Sequence, residues 1–258
     1  MPVPENQFKR ALAAGQVKFG CWLGLADSFS AELMSQAGFD WLVIDGEHAP
    51  NDLRSTLAQL QVIAASDAHA VVRVPVGETY MLKQMLDAGA QTVLVPMVET
   101  ADQARQLVRD VTFPPHGDRG VGYALGRASR FGTIADYGTT ADAQICLLVQ
   151  VENRRGLAAL DEILAVEGVD GVFIGPADLA ADMGHIGNAD HPDVQAVIMD
   201  ALARIRAAGK APGILSTQDK MTNDALEAGA QFVAVGADVL LLGAAARTLA
   251  AKWQATRG

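Results

Sequence analysis

Short apolar, β-branched runs alternate along the chain with longer stretches whose apolar positions recur at helical spacing. The runs are Phe19–Leu23, Trp41–Asp45, Ala70–Val74, Thr92–Pro96, Ile145–Val151, Gly171–Ile174, Pro212–Leu215 and Phe232–Gly236. Between them lie helical stretches such as Leu53–Ala65, Met81–Ala88 and Val194–Ala208. Many of these helices end in a glycine that leads into the next strand, as in Ala37-Gly38-Phe39, Ala88-Gly89-Ala90, Glu167-Gly168-Val169 and Ala228-Gly229-Ala230. Past the last helical turn, glycine accepts the left-handed backbone that stops a helix. Strand–helix alternation with short links specifies parallel pairing. Eight such units in 258 residues predict an α/β fold, a closed (β/α)8 TIM barrel, with 1–258 as a single domain. An open doubly wound sheet is the competing arrangement, but its Gly-rich phosphate turn after the first strand is missing.

One segment breaks the rhythm. Val111 to Thr140 contains Phe113-Pro114-Pro115-His116-Gly117-Asp118-Arg119-Gly120-Val121-Gly122, then Arg127, Arg130 and Tyr137. It is too long and too rich in Pro and Gly for an ordinary barrel link. Long structured loops in compact domains are often functional, although a surface insertion reads the same way.

In such a barrel the chemistry sits where the strands end. Strand two runs out through Asp45-Gly46-Glu47-His48, strand three at Arg73, strand five through Gln150-Val151-Glu152, strand six through Gly175-Pro176-Ala177-Asp178, and strand eight at Asp238. Charged groups and one histidine therefore gather at one mouth, as a pocket with a few convergent polar groups requires. Glu152 and Asp178 follow adjacent strands and are the candidate metal ligands. Two carboxylates leave room on a hard six-coordinate ion for water and a bidentate substrate, while a helix-capping role is the plain alternative for each. His48 is the histidine that follows a strand directly, inside an acidic cluster that can tune it as a general base. His116 and His185 are expected in loops on the same side, and His69 at the far end. Arg73, closing an apolar strand, needs an anionic or metal-bound partner, or a structural ion pair with Asp45 or Glu47; both roles can coexist. Small residues at Gly175-Pro176-Ala177 let a ligand approach the backbone, where Ala177 and Asp178 can donate. No lysine ends a strand: Lys18 and Lys210 precede strands, and Lys9, Lys83, Lys220 and Lys252 lie in helical stretches. Imine chemistry therefore has no pocket lysine.

Composition narrows the partners. Half the residues are hydrophobic, enough for a large core, and the net charge of −10 disfavours nucleic acid and anionic membranes. Cys21 and Cys146 lie in apolar runs and read as buried free thiols. The polar stretch Met1 to Arg10 carries no export segment, and no run is long enough to span a bilayer. The expectation is a reduced, cytoplasmic protein.

The stretches Gly20–Leu25, Asp45-Gly46-Glu47-His48-Ala49-Pro50, Gln84–Val98, Arg119-Gly120-Val121-Gly122, Val149–Glu152 and Gly175-Pro176-Ala177-Asp178-Leu179 together resemble the class II, metal-dependent pyruvate aldolases. The resemblance is strongest to 4-hydroxy-2-oxoheptanedioate aldolases, with 2-dehydro-3-deoxyglucarate and 2-keto-3-deoxyrhamnonate aldolases similar in the same places. It implies a phosphoenolpyruvate/pyruvate-type barrel that cleaves 4-hydroxy-2-oxo acids to pyruvate and an aldehyde. It implies a divalent metal (Mg2+, Mn2+ or Co2+) on Glu152 and Asp178, and Arg73 at the keto or enolate oxygen. It further implies His48 paired with Asp87 for proton transfer, and Gln150, Ala177 and Asp178 around the pyruvyl group. Trp22 and Leu215, which read otherwise as core, would line the pocket; Asp87 reads otherwise as a solvated helix residue. A homohexamer is also implied, with the long loop reaching a neighbouring site and Arg127 meeting the far end of the acceptor. One departure is Asn153, where such proteins often carry threonine. The rival readings are a citramalyl- or citryl-CoA-type lyase and a non-catalytic metabolite-binding barrel.

Overall fold

The structure, a computed structural model, describes residues 2–256. Helix α1 (Gln7–Ala13) precedes the alternating units β1 (Lys18–Leu23), α2 (Ser28–Ser35), β2 (Trp41–Asp45), α3 (Leu53–Ile63), β3 (His69–Arg73), α4 (Thr79–Ala88), β4 (Thr92–Val95) and α5 (Ala101–Val111). After a long connection containing the short α6 (Tyr137–Thr140) come β5 (Cys146–Val151), α7 (Arg154–Ala158), α8 (Leu160–Leu164), β6 (Gly171–Ile174), α9 (Pro176–Asp182), α10 (Pro192–Ala207), β7 (Ala211–Leu215), α11 (Asp219–Glu227), β8 (Phe232–Ala237) and α12 (Asp238–Gln254). The strands pair in parallel in sequence order, and β1 pairs with β8 to close the barrel. The expected runs differ from the strands only by a residue or so at their ends, where pairing rather than hydropathy sets the limit.

Alternate strand residues point inward. Trp22, Trp41, Val43, Val71, Leu94, Leu148, Phe173 and Phe232 fill the interior, and Phe8 and Leu12 of α1 join them from the N-terminal end. The space for two of the large rings comes from glycines. A Cβ on Gly20 would lie 2.3 Å from the Trp41 ring, and one on Gly213 would lie 2.2 Å from Phe232. The outward residues form the larger core between strands and helices, with Leu42, Ile44, Val72, Val93, Val149 and Ile174 among its strand members. His69 opens β3, stacks on Phe8 at 5.2 Å and meets Thr92 Oγ1 at 2.7 Å, a structural role at the far end.

The irregular segment belongs to the α5–β5 connection, so it lies at the N-terminal face, away from the strand ends. His116 is therefore not on the active side, contrary to the sequence expectation; a link from helix to strand must end where the strand begins. The segment has a small core of its own, Phe113, Ile134, Tyr137 and Ala141. Fully buried Arg119 stacks over Phe113 at 4.3 Å and donates to Tyr137 at 3.2 Å and Asp87 at 3.3 Å. At the chain's end, α12 buries only Asp238 and leaves Leu240, Leu241, Leu242, Leu249 and Trp253 exposed. No helix among the described residues is long and apolar enough to cross a membrane.

Candidate active site at the C-terminal mouth

Following each inward row upward, apolar residues give way to polar ones. Val43 is succeeded by Asp45, Val71 by Arg73, and Leu148 by Gln150 and then Glu152, while Phe173 is succeeded by Gly175. The period of two thus delivers several polar groups from adjacent strands into one mouth without disturbing the packed layers below.

Arg73 is buried at the centre of this arrangement. Its Nε and Nη2 donate to the two oxygens of Asp45 at 2.9 and 2.7 Å, and its Nη1 lies 2.7 Å from Glu47 Oε2. Its guanidinium carbon lies 5.2 Å from the Trp22 ring centroid, so the aromatic face supports the cation from below. The ion-pair role raised by the sequence is present with both acids. A guanidinium has five N–H groups, and the hydrogen bonds to Asp45 occupy two of them. Burial raises the proton affinity of Asp45, but the hydrogen bonds and charge of Arg73 override it and hold the carboxyl below its usual range. Asp45 Oδ1 also accepts from the backbone N–H groups of Glu47 and His48 at 3.0 and 3.2 Å, fixing the turn that carries both.

Glu152 is buried, and its Oε1 accepts from the Met97 backbone N–H at 2.9 Å while its Oε2 accepts from Gln150 Nε2. Met97 adopts φ +54° to make this contact, an unusual conformation for a non-glycine residue. Burial pushes the Glu152 carboxyl up, partly offset by these donors, and Asp178 and Glu47 push in the same direction as burial. Glu47 is likewise raised, first by burial, against the pull of Arg73 and His48, with Asp45 and Asp178 adding repulsion. Gly175 is required by this crowding: a Cβ there would stand 2.5 Å from Glu152 Oε2.

The capping alternative fails for Glu152, because Asn153 caps α7 by accepting from Gly156 N–H at 2.8 Å. Asn153 Nδ2 also donates to Glu99 at 2.8 Å, so the residue that departs from the threonine pattern is fully used. Asp178 stands exposed on the first turn of α9, behind Gly175 and Pro176, and the N-terminus of α9 has no side-chain cap. Asp178 adds its charge to Glu47 and Glu152, and Glu47 adds to Glu152, so the mouth concentrates acidic groups beside Arg73.

His48 has 65% of its side chain exposed, and its Nε2 lies 3.8 Å from Glu47 Oε2, beyond hydrogen-bonding distance. Trp22 and Leu215 both belong to the inner cluster, Leu215 being partly open at its top. Two residues implied by the resemblance are elsewhere. Asp87 sits at the C-terminal end of α4, paired with Arg119 at 3.3 Å, so within one chain it does not pair with His48. Arg127 donates to the carbonyls of Ala88 and Leu60 at 3.2 and 3.5 Å, at the ends of α4 and α3. It lines a cavity of about 460 Å³ with His69, Gly89 and Phe131 at the N-terminal face. Helix C-termini attract a cation, which explains its seat there. The lysines stay outside the mouth: Lys18 pairs with Asp40, Lys9 with Asp170 and Lys220 with Asp224.

Two contributors were not legible in the sequence. The Met97 amide acts through its backbone, which no side-chain pattern signals. Asp238 is buried and accepts from the Gly24 and Leu25 N–H groups at 2.8 and 3.2 Å, anchoring the β1–α2 loop at the mouth; its strand-end position gave its place but not this role.

The profile of the HpcH/HpaI aldolase/citrate lyase family matches residues 18–245. A hydroxypyruvate/pyruvate aldolase of Roseobacter denitrificans is 59% identical over 254 residues, 98% of this chain and 99% of its own. A 4-hydroxy-2-oxo-heptane-1,7-dioate aldolase of Escherichia coli is 56% identical over 251 residues, 97% of this chain and 96% of its own. Among solved structures, an HpcH/HpaI aldolase/citrate lyase family protein of Burkholderia cenocepacia superposes with a TM-score of 0.92 at 42% identity, covering 98% of this chain and 100% of that one.

Proposed function

The chain belongs to the HpcH/HpaI aldolase/citrate lyase family, and from that premise we propose the reaction its mouth performs. It is a pyruvate-dependent aldolase, a carbon–carbon lyase that cleaves 4-hydroxy-2-oxo acids reversibly to pyruvate and an aldehyde. The observation that carries the reading is the buried Arg73 fork, held by two hydrogen bonds to Asp45 with Glu47 at 2.7 Å, at the same strand-end mouth as Glu152 and Asp178.

In cleavage, a base takes the proton of the C4 hydroxyl, the C3–C4 bond breaks, and its electron pair moves to the C2 oxygen. The N–H groups of Arg73 not bonded to Asp45 are assigned to that oxygen as it gains charge, which is where such donors contribute most. The enolate carbon then takes up a proton and becomes the pyruvate methyl. His48, exposed at the mouth, is the group proposed to carry protons. Gln150, Gly175, Pro176 and the Ala177 and Asp178 amides surround the pyruvyl end, and Trp22 and Leu215 form the apolar wall beneath it.

A divalent cation, Mg2+, Mn2+ or Co2+, fits Glu152 and Asp178. Two of the acidic groups, Glu47 and Glu152, are pushed toward protonation first by burial and further by the charge of Asp178, and the buried Gln150 Oε1 has no hydrogen-bond partner among the described residues. A hard cation relieves both features. When bound it supplies Lewis-acid stabilisation of negative charge on the substrate oxygens.

The chain is further proposed to act as a homo-oligomer, a hexamer in the resemblance. The exposed apolar residues of α12, together with Phe29 and Leu33 on α2, support assembly. His48 is open to a neighbour, so pairing with Asp87 and an approach of Arg127 to the acceptor require a second copy. The free thiols Cys21 and Cys146, with Cys21 pushed up to about 11 by burial, suit a reduced cytoplasmic setting.

The test is pyruvate release from a panel of 4-hydroxy-2-oxo acids, with and without chelator, beside a citramalyl-CoA thioester. Metal-dependent pyruvate release from the oxo acids supports the reading. Turnover of the thioester alone transfers the site to the CoA-lyase class, and no turnover of either leaves a metabolite-binding barrel.

A further inference from the structure

We propose that His185, His191 and Asp193 form a second cation site, selective for a borderline transition-metal ion such as Zn2+, at the junction of α9 and α10. Their ligand atoms all lie within 4.8 Å of one another. Two imidazoles and one carboxylate are the donor set of a catalytic or regulatory zinc site, with a fourth position for water. Nitrogen donors favour Zn2+, Ni2+ or Cu2+ over Mg2+, the opposite of the preference of the all-carboxylate mouth.

The backbone positions this set without an ion. The junction folds back on itself through His185 N–H to Ala180 O at 2.7 Å, Asn188 N–H to His185 O at 2.9 Å, and His191 N–H to Asn188 O at 3.2 Å. Gly184 and Gly187, at φ +87° and +75°, make the tight turns possible. The two rings consequently stack with centroids 3.6 Å apart and planes 15° from parallel. His191 Nδ1 lies 3.8 Å from Asp193 Oδ2. Tetrahedral ligands at about 2.0–2.1 Å from zinc stand roughly 3.4 Å apart, so closure asks for side-chain rotation of half-exposed and exposed groups and no backbone rearrangement. The contacts given up are the face-to-face ring stack, since each imidazole binds an ion in its own plane, and the 3.3 Å bond from Asp193 N–H to His191 Nδ1.

The site is separate from the mouth. Helix α9 has seven residues, roughly 10 Å at 1.5 Å per residue; Asp178 is on its first turn and His185 lies just past its end. An ion here ties the end of the helix that carries Asp178 to the start of α10.

The experiment uses the full chain with Asp178→Ala, which weakens the mouth, against the same chain with His185→Gln added. Calorimetry with Zn2+ should show one equivalent binding to the first and at least a tenfold weaker affinity in the second. Zn2+ should raise Tm in the first and not in the second, which also shows that both are folded. With Cu2+, the nitrogen splitting of an imidazole-bound ion in the electron paramagnetic resonance spectrum should weaken on the same substitution. His185→Gln in the otherwise unaltered chain should keep its Mg2+-supported aldol cleavage. No Zn2+ binding to Asp178→Ala, or equal affinity and equal Tm rise in both chains, overturns the site; neither result bears on the aldolase reading, which rests on the mouth.

Discussion

Asp45 and Arg73 are register partners on adjacent parallel strands, and their side chains meet in two parallel hydrogen bonds of 2.9 and 2.7 Å. The backbone pairing of β2 with β3 therefore fixes which edge of the guanidinium faces away from the acid. A planar fork so held cannot be replaced by a point charge. Arg73→Lys should lower the cleavage rate nearly as far as Arg73→Ala, on the order of 10²–10³-fold. Exchange of the pyruvate methyl protons should slow in parallel, because it passes through the same enolate. Near-normal cleavage and exchange in the lysine variant would limit Arg73 to charge or structure.

Asp178 is exposed and repels Glu152 and Glu47. Asp178→Ala should lose Mn2+ binding while Tm stays level or rises in metal-free buffer, since like charges are separated. Chelation of the unaltered enzyme should abolish cleavage, and Mg2+, Mn2+ or Co2+ should restore it. Titration of Mn2+ followed by paramagnetic resonance checks the first statement; unchanged affinity would return Asp178 to a role at the helix start.

Gly175→Ala tests the crowding beside Glu152. The added methyl would meet Glu152 Oε2 at 2.5 Å and Glu152 Cβ at 2.8 Å. The expected cost is about 1–3 kcal/mol in stability, with at least a tenfold loss of metal affinity as the carboxylate turns aside. A melt and a Mn2+ titration both matching the parent would show that the glycine is incidental.

His69 is pushed down to about 4 by burial. Its folded value lies below its unfolded one near 6.5, so the unfolded chain takes up the proton first as pH falls. The barrel should lose stability from about pH 6.5 down to about pH 4, by about 1–3 kcal/mol, and His69→Gln should flatten that slope. Denaturant melts at pH 7 and pH 4.5 measure it; equal pH dependence in both chains would assign the acid sensitivity to other groups.

The eight strands were legible because hydropathy changes at each boundary, joined at many of them by a helix-stop glycine, as at Ala88-Gly89-Ala90. The positions of Glu152, Asp178, Arg73 and His48 at the strand-end mouth were legible because a parallel barrel delivers its strand ends to one place. Asp87 and Arg127 were not placed by their spacing: both lie at helix ends or in a helix-to-strand link, on the face where strands begin. The same face holds His116, which looks like a mouth residue only if its segment is taken for a strand-to-helix loop. Met97 escaped because its contribution is an amide bent into a left-handed conformation. The open apolar side of α12 is invisible to periodicity, which counts apolar positions without saying what they touch.

Barrel closure has a consequence for how the protein is made. The loop after β1 is anchored by Asp238, 214 positions further along the chain at Gly24, and the β1 ladder is completed only by β8. At synthesis rates of about 5–20 residues per second, the first strand waits roughly 10–40 seconds for its last neighbour, presenting an unpaired edge throughout. A nascent chain stalled or truncated before Phe232 keeps that edge open. Loss of the final strand should therefore leave a sticky, aggregating product and not a smaller working enzyme, placing the last few seconds of translation among the conditions for a soluble yield.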